Sequence, residues 1–251
     1  MKSLDSMLSL LDLFDEDHAT CSLEEAQAYL STVSSATVYR YLQSLTKAGL
    51  VADGPGRSFT LGPRILELDR VAQRSDQLLM AGQRFIPGLD GLPPGLSLLA
   101  VSYGRKVLCI HSQSFGESNV PTSYVRGRPM PLFRGATSKI ILAYLPAYQL
   151  RAALQNYPEQ IREAGLGETW DEFKDNLRKL RKDGYAVARG EVDRGLTGVA
   201  VPLLQDGKPK KVLGSLSYVM LDRDFDGRDM PTMIGRLRAV GARICHSISA
   251  P

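Results

Sequence analysis

An α+β chain, with a small helical unit ahead of a larger mixed unit, is what the sequence predicts. Three observations predict it. The first sixty residues show helical apolar spacing and helix caps, and then two short apolar stretches around Asp53-Gly54-Pro55-Gly56. Beyond Leu96, strand-like apolar runs alternate with a few helical ones, which is the pattern of an α+β domain. Between the two parts, residues 63–85 read as one helix, with Pro63 at its start and Pro87 beyond its end. The expected divisions are 1–62, a linker helix over 63–85, and 86–251.

Leu4, Met7, Leu8, Leu11 and Phe14 recur at helical spacing and predict a first amphipathic helix, closed by Asp15-Glu16-Asp17. Ser22-Leu23-Glu24-Glu25 has the form of a capping box, in which hydroxyl and carboxylate satisfy each other's orphan amides. It opens a second helix that runs to about Leu30. After a polar turn, Ser31 to Ser34, a third helix carries Val38, Leu42 and Leu45 toward the core, and Gly49 supplies a left-handed cap.

The opposite face of that third helix holds Ser35, Thr37, Tyr39, Arg40, Gln43 and Lys47. Hydroxyls, an amide and bases near a helix start are groups that meet base edges and phosphates. The hairpin that follows carries Arg57 at its tip. Two helices across a tight turn and a basic-tipped hairpin make a winged helix-turn-helix. A three-helix unit with a merely solvated face would share the spacing.

Bulk charge argues neither way. Residues 1–62 hold four bases, Lys2, Arg40, Lys47 and Arg57, against eight acids, so the chain's net +4 lies entirely in the remainder. DNA binding must therefore rest on local arrangement. The three cysteines, Cys21, Cys109 and Cys245, are widely spaced and suit a reducing compartment better than a disulfide framework. No apolar run reaches membrane-span length, and Asp5 and Asp12 interrupt any signal-like core, so a cytoplasmic protein away from the membrane is expected.

In the larger part, LSLLAVSY and KVLCIHS predict hairpin strands around Gly104-Arg105. Thr169-Trp170-Asp171-Glu172 opens a helix with Phe173, Leu177 and Leu180 inward and Gly184 as cap. Strands follow near Tyr185–Ala188, Gly198–Leu204 and in KVLGSLSYV. A last amphipathic helix carries Ile234, Leu237, Ile244 and Ile248.

Motifs for catalysis are missing: there is no G-x-S-x-G, P-loop or dinucleotide fingerprint. Asp222-Arg223-Asp224-Phe225-Asp226-Gly227 opens like a calcium loop but has Met233 where a bidentate Glu is needed, so it reads as an acidic turn. Cys109 and His111 alternate on a strand and would share a face, without further ligands to complete a metal site. No cofactor is implied. The segment Arg134-Gly135-Ala136-Thr137-Ser138 precedes an apolar helical run, where free amides and hydroxyls could hold an anion. Ser215 and Ser217 share a strand face and could add donors. A threonine that only caps its own helix would read the same way.

Three stretches, SSATVYRYLQSLTKAGLV, RGRPMPLFRGATSKIILA and GYAVARGEVDRGLTGVAVPLL, resemble in order and spacing the IclR family of bacterial regulators. The resemblance implies a winged-helix domain and a GAF-like effector domain, assembled as a dimer or dimer of dimers. It implies a repressor or activator of catabolic genes that binds double-stranded, inverted-repeat operator DNA and answers to a small carboxylate or aromatic acid. By position it puts the DNA-reading helix on Ser34–Gln43 and the wing on Asp53–Phe59. The effector pocket falls on Ala136, Thr137, Leu196, Gly198, Ser215 and Ser217. Where many members carry an acid and a cysteine, this chain has Ala188 and Gly198, which implies a roomier, less polar pocket. The alternative function is an enzyme acting on a small carboxylate, with the N-terminal helices used only for oligomerisation.

Overall fold

The computed structural model describes residues 3–104, 106–117, 120–205, 207, 211–225 and 227–249. Arg105 of the expected turn and Asp226 of the acidic turn lie outside the described residues. The chain divides into two compact units, Met1–Ser75 and Asp76–Pro251.

In the first unit, helix α1 (Ser3–Ser9) tightens into a 3-10 turn over Leu10–Leu13. This corrects the expected stripe: the tightening turns Leu10 into the core, while Leu4 and Leu8 are 68% and 52% exposed. Strand β1 (Thr20–Ser22), which the sequence did not announce, precedes α2 (Leu23–Tyr29). The capping box at its start is made in full. Glu25 N donates to Ser22 Oγ at 3.1 Å, and Ser22 N donates to the Glu25 carboxylate at 2.7 Å. Helix α3 (Ser35–Lys47) buries Val38, Leu42 and Leu45, and Gly49 takes the left-handed φ of 74° that ends it. Strands β2 (Val51–Asp53) and β3 (Ser58–Leu61) form the hairpin, and β1 pairs with β3 as a third strand, Cys21 opposite Phe59.

The stretch expected as one linker helix is two helices, α4 (Arg64–Ser75) and α5 (Gln77–Phe85). Asp76 stands extended between them, and its carboxylate accepts from Leu79 N at 2.9 Å as the N-cap of α5. Helix α4 belongs to the first unit and α5 to the second.

The second unit is built on a six-stranded antiparallel sheet, order β6-β5-β4-β9-β8-β7. Its strands are β4 (Gly95–Tyr103), β5 (Lys106–Phe115), β6 (Pro129–Met130), β7 (Ala186–Arg189), β8 (Leu196–Gln205) and β9 (Lys211–Leu221). One face packs against α5 and the last helix, α10 (Met230–Ser249), through Leu99, Val199, Leu216, Tyr218 and Leu237. The other face packs against α6 (Ala136–Leu142), α7 (Ala147–Asn156), α8 (Pro158–Glu163) and α9 (Trp170–Asp183), through Leu98, Ala100, Ile141, Leu150, Ile161 and Phe173. The second capping box is also made, Thr169 with Glu172 at the start of α9.

The β4–β5 register slips by one residue between Leu99 and Ala100, so His111 pairs with Leu99 and Cys109 with Ala100. Neighbouring positions on β4 point to opposite faces, and the expectation that Cys109 and His111 share a face is thereby corrected. Cys109 is buried, and that burial pushes its thiol up to about 11.

Candidate functional site

Two sites take shape, one in each unit. In the first unit, the outer face of α3 and the hairpin bound a groove of about 810 Å³. Tyr39, Gln43 and Lys47 line it from the helix, and Asp53, Gly56 and Arg57 line it from the wing. Ser34, Ser35, Tyr39, Arg40 and Gln43 are exposed and Thr37 partly so, which is the state a reading face requires. Their side chains are held to one another locally: Ser34 Oγ lies 3.0 Å from Thr37 Oγ1, and Gln43 Nε2 donates to Tyr39 OH at 2.8 Å. Arg40 reaches Thr37 Oγ1 at 3.4 Å. Arg57 sits at the hairpin tip with a φ of 64°, a strained value for a residue with a side chain, and projects into solvent.

In the second unit, the start of α6 meets β8, β9 and the loop after β7. Here Ala136, Thr137, Leu196 and Gly198 line one cavity together with Ala188, Val219, Tyr124, Glu191, Val192 and Asp193. Ser215 and Ser217 are not in that lining. Thr137 Oγ1 donates to Ser217 Oγ at 2.9 Å, and Ser215 Oγ donates to the Thr137 carbonyl at 3.2 Å. The three buried hydroxyls thus fasten α6 to β9, with Thr137 alone of the three also lining the cavity. Helix α6 is capped by Gly135 at φ 82°, without a side-chain cap, so Thr137 does not close its own helix. A Cβ at Gly135 would stand 2.4 Å from the Tyr124 hydroxyl, so only glycine fits there.

The room expected from Ala188 and Gly198 is largely taken. The cavity measures about 30 Å³, space for roughly two waters, whereas an apolar cavity that accepts benzene is on the order of 150 Å³. A Cβ placed on Gly198 would meet Ala136 and Val219 at 3.8 Å, ordinary van der Waals contact, so the missing side chain leaves about the room of one methyl group.

Sequence reasoning missed the cavity's most polar members. Tyr124 is 5% exposed, and its hydroxyl stands near those of Thr137 and Ser138 without reaching hydrogen-bond geometry to either. Burial pushes that phenol up to about 12, so it stays protonated. Glu191 accepts from Gly135 N at 3.0 Å and from Lys139 Nζ at 2.7 Å. Its carbonyl takes a hydrogen bond from Arg134, which is therefore committed to the loop. Asp193 accepts from Thr122 Oγ1 at 2.9 Å and from Ser123 N at 2.8 Å. None of these loop residues lies in a periodic pattern, so the sequence carried no signal for them.

A winged helix with an exposed reading face, followed by an antiparallel sheet domain with a small, partly open cavity, defines a DNA-binding protein with a sensor domain. Comparison with known proteins makes the class specific. The IclR helix-turn-helix domain matches residues 3–54, and the bacterial transcriptional regulator IclR C-terminal domain matches residues 97–246. The chain belongs to the IclR family of DNA-binding transcription regulators, and it is a regulator rather than an enzyme. It is 22% identical to the Pca regulon regulatory protein of Pseudomonas putida over 99% of this chain and 84% of that one. A structure from Silicibacter sp. TM1040 assigned to the same family superposes with a TM-score of 0.83 at 24% identity, covering 99% of this chain and 97% of the other. An IclR homologue from Microbacterium hydrocarbonoxydans, solved with 4-hydroxybenzoate, superposes with a TM-score of 0.67 at 19% identity over the full length of both. Among the described residues no helix is long and apolar enough to cross a membrane.

Proposed function

We propose that this regulator acts in the cytoplasm as a dimer or dimer of dimers on an inverted-repeat operator and answers to a small carboxylate, with aromatic acids favoured. The observation that carries the effector reading is the buried, unpartnered Tyr124 hydroxyl at the edge of a cavity walled by Ala136, Leu196, Gly198 and Val219. A polar group left without a partner in an apolar setting costs about 1–3 kcal/mol, which a ligand would recover. The relatives support the choice of acid: one carries a Pca regulon name, and another was crystallised with 4-hydroxybenzoate. Self-association is supported by apolar side chains left in solvent on α1 and α4, Leu4, Leu8, Leu66 and Val71 among them.

In this reading Arg40 and its neighbours on α3 enter a major groove and Arg57 meets phosphate or a minor groove, while the ligand biases how paired DNA-binding units are placed. Calorimetry with a panel of aliphatic and aromatic carboxylates tests it. Binding of 4-hydroxybenzoate or a close aromatic acid, weakened in Tyr124→Phe, is expected. If aliphatic acids alone bind, the size preference is wrong; if no acid binds, the effector class is wrong.

A further inference from the structure

The cavity poses a contradiction that its own loop resolves. Two carboxylates, Glu191 and Asp193, lie in the lining, so an acid entering beside them meets like charge at close range. The cavity is also too small for an aromatic ring. Both obstacles belong to one six-residue segment, Gly190–Gly195, which supplies Glu191, Val192 and Asp193 to the wall.

We propose that this segment is a clasp, and that Glu191 occupies the place at Lys139 that the effector's carboxylate takes when the clasp opens. The inference rests on the acid-effector reading above. Glycines flank the segment with left-handed φ of 59° at Gly190 and 76° at Gly195, and nothing lies within 4 Å of where a Cβ would be on either. No side chain resists a turn at either glycine, and each end is held by one backbone bond, Gly190 N to the Leu196 carbonyl at 2.8 Å and Asp222 N to the Gly195 carbonyl at 2.9 Å. Between them the backbone is held by Leu196 N, which donates to the Asp193 carbonyl at 3.4 Å, and by the Arg134 guanidinium on the Glu191 carbonyl. The closed state is held instead by side chains. Asp193 grips Thr122 and Ser123, the residues next to Tyr124, and Glu191 grips Gly135 N and Lys139.

Lys139 gives the exchange its sign. Its side chain is 13% exposed, and Glu191 is the acid that pairs with it. A cation so placed needs an anion in both states of the segment. A ligand carboxylate can swing Glu191 outward only by taking its position. Opening at the glycines would at once add volume and remove one of the two repelling charges. Charge-assisted bonds of this kind are exchanged, not created, so the net affinity is set by what Glu191 gives up.

The test uses the full-length protein and 4-hydroxybenzoate as probe. Glu191→Gln removes the competing charge and should tighten binding on the order of tenfold, while Lys139→Met should abolish it. In the ligand-free wild type, exchange at the bonded amides of Gly190 and Leu196 should be slow, and it should quicken in Glu191→Gln and when the probe is added. The probe arm of this second measurement is read in the wild type and so does not depend on how well a variant folds. If wild type binds the acid and Glu191→Gln binds it equally or more weakly, the clasp is wrong and the effector reading stands. If exchange at the Gly190 and Leu196 amides ignores the probe, the clasp is likewise wrong. If no carboxylate binds either protein, both fall.

Discussion

Helices α3 and α6 begin alike and end in opposite roles. Each opens with hydroxyls and carries a single cation in its first turns: Ser34, Ser35, Thr37 and Arg40 in one, Thr137, Ser138 and Lys139 in the other. On α3 only Val38, Leu42 and Leu45 are buried, and the polar residues stay outside. On α6 six of its seven residues are buried, including Thr137 and Ser138. The difference lies in what surrounds them. A helix with one packed face leaves its polar side chains to solvent and to DNA. A helix sunk between a sheet and other helices must give every hydroxyl an internal partner or leave it for a ligand.

Breaking the core of each helix should give the largest effect. Leu42→Ala and Ile141→Ala each remove a fully buried side chain and should cost about 2–5 kcal/mol in denaturant unfolding. A cost much smaller at Ile141 would mean that α6 is not enclosed. Next is the bond between Thr137 and Ser217. Ser217→Ala alone strands a buried hydroxyl and should cost about 1–3 kcal/mol, whereas Thr137→Val with Ser217→Ala should recover most of that loss. Additive losses in the double-mutant cycle would show that the hydroxyls do not serve each other.

The outer face of α3 predicts the reverse profile. Arg40→Ala should leave the melting temperature in place while weakening binding to a selected operator by about 1–3 kcal/mol, read by fluorescence anisotropy. Arg57→Ala should weaken specific and non-specific DNA by similar factors; loss of discrimination alone would make the wing a base reader. The smallest effect is alkaline. Burial holds Tyr124 at about 12, above the usual value near 10, so the unfolded chain ionises first. Its contribution is intact below pH of about 10 and is lost as pH rises toward 12, and Tyr124→Phe should make the stability profile shallower over that window, leaving the shares of buried Tyr218 and Cys109.

How far each site was legible follows from the same contrast. Helix α3 could be read whole, because its apolar period, its cap at Gly49 and its polar face all arise from neighbours in sequence. Both capping boxes were legible for that reason, Ser22 with Glu25 and Thr169 with Glu172, each a bond across three residues. The break at Asp76 was hidden, since an aspartate within a helical pattern caps or continues according to tertiary context. The slip between Leu99 and Ala100 was hidden as well, because one extra residue on β5 leaves no trace in composition. In the cavity, Ala136, Thr137, Leu196 and Gly198 were found through family resemblance. Glu191 and Asp193 were not, because their partners lie roughly fifty to seventy residues away in the chain, and Tyr124 was not, because it lies in a loop with no periodic pattern. Ser215 and Ser217 carried the right chemistry and pointed to the right helix, but their hydroxyls are spent on Thr137.

The most direct measurement is anisotropy of a labelled double-stranded fragment, selected from a random pool by the wild-type protein and titrated with and without saturating 4-hydroxybenzoate. Wild type should show operator affinity shifted by the acid, a coupling of about 1–3 kcal/mol. Tyr124→Phe should bind the fragment normally with that shift reduced, and Arg40→Ala should bind it weakly while still taking up the acid in calorimetry. An operator affinity that no carboxylate moves, or a Tyr124→Phe protein that responds like wild type, would contradict a sensor cavity at the start of α6.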